Sequence, residues 1–297
     1  DPGAWRSREV FDFELDAITR IALGAEGVQV VLVRQGSDFW LETPFEDLAA
    51  ADQVENLLVE LASATIDAFA DEQPESNRET GLDPPLGEIE LTVGHNGEHQ
   101  HLLWGAVVEN SEGLHHASSR SQTFVTRADL QPYFEMSAAE WRSLALTSFE
   151  TFEIDALRVR QTGHEEFFLT RDGAAWARGE KEISFPSVSD LLYAIVDARA
   201  LSVVAESASE LPGIDAAEPV LEMWLQGETG EQSIAFLALT DGGAQVRLSD
   251  RGVVLFVADN EFTEILAKVA QVRSAESVKS DAVIQLPTGD PELSSDQ

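Results

Sequence analysis

Cysteine does not occur in these 297 residues, and lysine occurs only as Lys181, Lys268 and Lys279. Without cysteine there is no disulfide, no thiolate nucleophile and no Cys-ligated zinc. The compartment stays open, since exported proteins also do without it. Long hydrophobic runs are missing as well. The longest, such as Val253 to Ala258 and Leu102 to Val108, are strand-sized, against the roughly 20 residues that a membrane-crossing helix requires. Positive charge is scarce, with 19 basic residues against 54 acidic ones and a net charge of −35. Such a field repels phosphate backbones and anionic lipid surfaces, so nucleic acid is not an expected partner. An acidic, lysine-poor surface suits a protein kept soluble in high salt, as in a salt-adapted, high-GC bacterium; a plain solvated acidic surface reads the same. Several sequence motifs are absent too: a Walker loop, a G-x-G-x-x-G turn, a G-x-S-x-G elbow, an H-E-x-x-H helix and a calcium loop. No nucleophile, base and oxyanion donor can be named together, so no enzyme activity and no cofactor are expected.

What is present is a near-copy. Phe13-Glu14-Leu15-Asp16-Ala17-Ile18 returns 139 residues later as Phe152-Glu153-Ile154-Asp155-Ala156-Leu157. The order that follows is also shared: a strand pair, a Trp strand, an amphipathic helix, a Gly-hydrophobic-Asp turn and more strands. The expected fold is α+β, two tandem repeats, each a mostly antiparallel sheet with a packed helix. Residues 1–9 read as a tether, 10–147 as the first repeat unit, 148–274 as the second and 275–297 as a disordered acidic tail. The unit boundary, near Leu146 to Phe149, carries no Gly- or Pro-rich linker, so rigid packing of the two units is expected.

In the first unit, β-branched runs at Ile18 to Leu23 and Val28 to Val33 predict a hairpin, with Phe39 to Glu42 as a third strand. Val54, Leu57, Leu58, Leu61, Ile66 and Phe69 recur at three and four, predicting a helix over 51–70. Asn96-Gly97 marks a second hairpin. Residues 129–144 are expected to be a closing helix. The second unit predicts a helix over about 187–204 with Ser187 and Asp190 in its first turn as caps, and a last helix over 261–272.

Five of the six histidines lie between His95 and His116. With Asn96-Gly97 as the turn, His99 and His101 share one strand face, and His115 or His116 reaches them from the next strand. That arrangement would admit zinc or copper, with Glu98 or Glu109 as oxygen ligand, although it matches no known ligand spacing. A polar, solvated sheet face is the simpler interpretation. Trp40 and Trp176 recur in corresponding places and read as core, as do Trp104 and Trp224. Arg120, Arg127, Arg158 and Arg160 read as surface ion-pair partners.

The ordered motifs resemble a bacterial family, domain of unknown function 4340. They stand here as Asp16-Ala17-Ile18-Thr19-Arg20-Ile21, Trp40-Leu41-Glu42-Thr43-Pro44, the run from Ala51-Asp52 to Leu61, and Gly81-Leu82-Asp83-Pro84-Pro85. Trp104-Gly105 stands near that family's hydrophobic-Gly strand end. The second unit departs from the pattern, with Ala177 after its Trp, Ser189-Asp190 before its helix, and no proline directly after Gly213-Ile214-Asp215. Within the resemblance Trp40 and Trp176 pack, Gly81 and Gly213 turn, and Asp83, Pro84 and Asp215 shape those turns; none of these is catalytic. The resemblance implies an N-terminal membrane anchor, an extracytoplasmic body, and similarity to auxiliary subunits of gliding-type ABC export systems. The chain starts at Asp1 and not Met, so either a signal or an anchor has been removed or the sequence is a cut piece of a longer chain. The expected function is a non-enzymatic binding or scaffold module whose partners are membrane transporter subunits or other envelope proteins. The alternative is a small-ligand or metal-binding protein that uses the His95 to His116 region.

Overall fold

Short alternating apolar runs, broken by glycine turns, fold here into two large antiparallel sheets. The computed structural model describes residues 7–25, 28–70, 79–94, 96–120, 122–206, 210–211, 213–214 and 217–275. The first sheet contains β1 (Ile18–Ala25), β2 (Val28–Gln35), β3 (Asp38–Thr43), β4 (Asp47–Leu48), β5 (Ile66–Phe69), β6 (Gly87–Val93), β7 (Glu98–Val107), β8 (His115–Ser119) and β9 (Gln122–Thr126). The second contains β10 (Ile154–Gln161), β11 (Phe167–Asp172), β12 (Ala175–Arg178), β13 (Lys181–Ile183), β14 (Ser202–Ala205), β15 (Leu221–Gly227), β16 (Gly230–Thr240), β17 (Gly243–Leu248) and β18 (Val254–Ala258). Among the described residues four α-helices accompany them: α1 (Ala51–Ser63), α2 (Gln131–Glu135), α3 (Phe185–Val196) and α4 (Asp259–Ser274). The strand orders are β4-β3-β2-β1-β6-β7-β8-β9-β5 and β13-β12-β11-β10-β15-β16-β17-β18-β14. Strand for strand, the second order repeats the first, and the class is α+β.

One face of each sheet carries the main core. Helix α1 buries Val54, Leu57, Leu58 and Leu61 against Ile21, Leu32, Ile89 and Leu102. Burying each such leucine is worth about 1.5–3 kcal/mol. In the second sheet α3 contributes Val188, Leu191, Leu192 and Ile195, and α4 contributes Phe262, Ile265, Val269 and Val272. No helix among the described residues is long and apolar enough to cross a membrane.

Helices α1 and α3 both stop earlier than their periodicity predicts. Helix α1 ends at Ser63, and Ile66 to Phe69 leaves it to pair with β9, Ile66 opposite Thr126. Helix α3 ends at Val196, and Ser202 to Ala205 likewise pairs with β18. In each case the apolar residues fit either period, and strand pairing at the far sheet edge decides between them. The α3 cap also differs from expectation. Ser184 is the N-cap and makes no side-chain capping bond, Ser187 lies inside the first turn, and the Asp190 carboxylate accepts a hydrogen bond from Lys268 Nζ at 3.0 Å. The closing helix shrinks to α2, because Met136 is extended and Glu140 accepts hydrogen bonds from both the backbone N–H and the hydroxyl of Ser137. That turn redirects Trp141 into the first core.

Residues 79–86, which lead into β6 at mid-sheet, lie over the face opposite α1. Thr80 O accepts a hydrogen bond from Ala106 N at 2.8 Å, and Leu82 is buried beneath the turn. Gly105 permits this approach, since a Cβ there would run into Thr80 O and His116 O. Gly81 adopts φ 67°, and a Cβ on it would stand 2.9 Å from Ala106 N. Two motifs of the sequence, Gly81-Leu82-Asp83-Pro84 and Trp104-Gly105, are therefore two sides of one contact, with Asp83 and Pro84 exposed at the turn. In the second sheet Leu237 holds the register of Gly105. There the turn at Gly213, φ 83°, buries Ile214 against Leu237, Ala235 and Val254. Asp215, residues 276–297 of the predicted tail and residues 1–6 of the predicted tether lie outside the described residues, whereas Ala275 caps α4 and packs on the second core. Arg8 and Glu9 are already bound, Arg8 O accepting from Ile66 N at 2.7 Å and Glu9 bridging Thr65.

Candidate functional site

Two buried glutamines hold the segment that leads into each sheet. Gln100 on β7 accepts from Asp12 N at 3.0 Å and donates to Asp12 O at 2.5 Å. Gln232, at the same register on β16, donates to Leu146 O at 3.2 Å and accepts from the Thr147 hydroxyl at 2.5 Å. Each pairs with backbone or hydroxyl groups of that segment, Thr147 among them buried. Residues 141–149 thus do double duty: Trp141 closes the first core, while Leu146 and Phe149 open the second.

Around this crossing lies a buried ionic junction. Asp47, at the edge of the first sheet, and Arg251, from the β17–β18 hairpin of the second, both have fully buried side chains, 204 residues apart in sequence. Arg251 Nε donates to Asp47 Oδ1 at 2.5 Å, and its two terminal nitrogens donate to Ala145 O at 2.7 Å and Ser143 O at 2.5 Å. Arg142 Nε stands 2.6 Å from Asp47 Oδ2, an ion-pair contact too bent for a hydrogen bond. Its terminal nitrogens hold both oxygens of Glu206, and its guanidinium lies 3.8 Å from the Phe45 ring centroid. Two guanidiniums thus meet two carboxylates, so the charge is balanced within the junction. Both units contribute. Backbone bonds from Ser143 N to Leu48 O and from Ala200 N to Leu144 O stitch the same strip to each side.

Gln232 also donates to Asp250 Oδ1 at 2.9 Å. Much of the surface of Asp250 is open, but this oxygen turns inward. Burial pushes the carboxyl above its usual range; hydrogen bonding from Gln232 and the Arg251 charge pull it down, and Asp47 pushes it up. A carboxyl raised in the folded state contributes stability below its unfolded pKa that is lost as pH rises through the folded value. Asp250→Asn keeps the accepting oxygen and lacks the charge. It is expected to melt above the parent at pH 7, with the gap closing as pH falls through the raised folded value and gone below about 3.9, the ordinary aspartate value. A melting series across that range checks the sign.

Beside the junction opens a cleft of about 650 Å³, walled by Asp52 at the start of α1, by Glu140, Ser143 and Glu150, and by Arg199 across from them. Among the described residues its lining offers carboxylates, hydroxyls and guanidiniums, but no imidazole or amine. Arg199 donates to Val196 O at 2.7 Å, at the carbonyl end of α3. Past Ala49 and Ala51 the cleft continues into a groove of about 350 Å³ between α1 and the β2–β3 hairpin.

The family described as Domain of unknown function (DUF4340) matches residues 1–85 and, in an overlapping second segment, 40–219. The chain belongs to the DUF4340 family. No curated protein and no solved structure matches it. The DUF4340 motifs run along the elements that build the junction and cleft: the Trp40 strand pairs with β4, which carries Asp47, and α1 forms the cleft wall.

The structure separates the histidines named from sequence. His99 and His101 share the exposed face of β7, where His99 Nδ1 meets Glu90 at 2.8 Å and His101 Nε2 meets Glu88 at 2.6 Å. His115 is on the other, buried face, stacked on Trp104 at 4.5 Å. It pairs opposite Val107, about 20 Å along the strand from His101 at roughly 3.3 Å per residue. His95 lies outside the described residues, and among those described no group of three or more His, Asp or Glu is placed to hold a metal ion. Trp176 and Trp104 are buried, each 2% exposed. Trp40 and Trp224 are not in either core. Trp224 lies on the opposite face, with Arg158 stacked on it at 3.7 Å. Arg160 pairs with Glu222, Arg127 with Asp67 at 3.2 Å, Arg158 more loosely with Glu166 at 3.9 Å, and Arg120 reaches Gln100 at 3.5 Å. Asp47, Arg142 and Arg251 had no sequence signal to mark them.

Proposed function

We propose that this chain is a non-enzymatic, extracytoplasmic binding module, two copies of one unit in tandem, which serves as an accessory of a membrane ABC transport complex. The carrying observation is the Asp47–Arg142–Arg251 junction. Buried charge gives little net stability over an apolar core, and its best-attested use is to fix one arrangement over others. Two sheets fixed in this way offer one wide, shaped surface, with a cleft between them, for a macromolecular partner. The family resemblance supplies the context of an envelope transporter, and the acidic surface disfavours nucleic acid. The three separated histidines give no observation that favours a metal-binding reading.

The test is gentle solubilisation of the full-length protein from its native membrane, followed by mass spectrometry of whatever elutes with it at fixed ratio. Transporter subunits are the expected companions. Elution of the protein alone would overturn the proposal.

A further inference from the structure

The groove that continues from the cleft is apolar at its floor and acidic at its rim. Phe39, Val54 and Leu58 form the floor and are largely buried, whereas Leu15 and Val59, at its lips, are 45% and 54% exposed. An aliphatic pair left half in water around a preformed depression is a feature of an interaction site. Asp16, Asp38 and Glu55 ring it against a single cation, Arg34. Arg34 is already committed: Nε donates to Ile18 O at 2.8 Å, a terminal nitrogen donates to Leu15 O at 3.0 Å, and the guanidinium lies 4.4 Å from the Phe39 ring centroid.

Asp38 is the informative member of the rim. It is half-buried at the tip of the β2–β3 hairpin, where the groove and the cleft share it. Among the described residues its side chain accepts from the Ser37 hydroxyl at 3.3 Å and enters no ion pair. Burial holds its carboxyl above the usual range, the Ser37 bond opposes this, and Glu153 of the second unit adds to the rise. A partly desolvated carboxylate facing another carboxylate is a place where an incoming cation gains most.

We infer that this groove takes a short basic and apolar peptide segment of the partner, with one large apolar side chain between Leu15 and Val59 and a lysine or arginine against Asp38 and Glu55. The inference rests on the accessory-module reading and names the chemistry of that partner. A second copy of this chain does not fit, because its net charge of −35 sets two acidic surfaces against each other. A fatty acid or anionic headgroup meets three carboxylates.

The experiment is a methyl NMR titration of the ¹³C-labelled protein with an acetylated, amidated Leu-Phe-Arg-Lys peptide. Saturable shifts are expected at the methyls of Leu15, Val54, Leu58 and Val59, with no response to Leu-Phe-Glu-Glu. Asp38→Asn should weaken binding by roughly three- to tenfold, and Val59→Asp should abolish it while the Leu191 and Ile195 methyls of the other unit stay in place. Absent saturation, an equal response to the acidic peptide, or binding that survives Val59→Asp overturns the inference. A co-purifying transporter without peptide binding sinks the groove and leaves the accessory role standing; peptide binding without any co-purifying partner does the reverse.

Discussion

Asp47→Asn is expected to lower the unfolding free energy by about 3–5 kcal/mol, the range for breaking a buried ion pair from one side. The substitution conserves shape and removes the one charge that both Arg142 and Arg251 face. Arg142 keeps Glu206, but Arg251, with a fully buried side chain, then touches only neutral oxygens, with the Asp250 carboxylate acting from farther off and a like charge nearby. Because the junction ties the two sheets, the loss should also change the form of denaturation, from one shared transition toward two, as the units cease to unfold together. The double variant Asp47→Leu with Arg251→Met leaves no such stranded partner and should lose less than Asp47→Asn alone. By contrast Asp67→Asn, which breaks the exposed pair with Arg127, should cost about 0–1 kcal/mol. Urea denaturation of the four proteins decides it. A loss below about 1 kcal/mol for Asp47→Asn would mean that water reaches the junction and that the ions do not fix the units.

Local signals in the sequence were sufficient wherever the structure is local. Hairpins such as β1–β2, β6–β7 and β10–β11 form where alternation and turn residues place them. The signals fail where a distant partner decides. Ile66 and Phe69 satisfy helical spacing as well as strand spacing, and only β9, more than fifty residues on, settles the matter. Asp47 follows Glu46 in a chain of 54 acidic residues. One is exposed and the other fully buried, and nothing within a few residues tells them apart. The near-copy misleads in a different way. It sets Ile18 on Leu157, whereas the strands begin at Ile18 and Ile154, each with a bulge after its first residue. The copied letters are three positions out of structural register. The glutamines are a truer mark of repetition: Gln100 and Gln232 do the same work at the same place in the two sheets. So are Arg34, donating to Leu15 O, and Arg171, donating to Phe152 O.

That register changes which aromatics correspond, and with them the expected energetics. Arg34 pairs opposite Phe39, and Arg171 opposite Trp176. Trp176 therefore matches Phe39, and Trp40 matches Ala177, although sequence order alone aligns the two tryptophans. Trp176→Ala should then cost about 3–5 kcal/mol, as should Phe39→Ala at the lower end, since each empties a filled core. Trp176 is 2% exposed within the cluster that holds Ile183 and Val188, and Phe39 is 7% exposed beside Leu41 and Val54. Trp40 points to the opposite face of β3 and stays partly in water, so Trp40→Ala should cost about 1 kcal/mol or less for the ring surface it still buries. Parallel urea denaturations of the three variants test the assignment. Equal losses for Trp40→Ala and Trp176→Ala would restore the alignment by letters and remove the register argument for the two-unit duplication. A large loss at Trp176 with a small one at Trp40 would leave Trp40 available on the outer face, where the second unit places Trp224 and Arg158. An aromatic that the fold does not need for stability is free to differ between the two sheets, and these outer faces are where two sheets of the same strand order can come to serve different contacts.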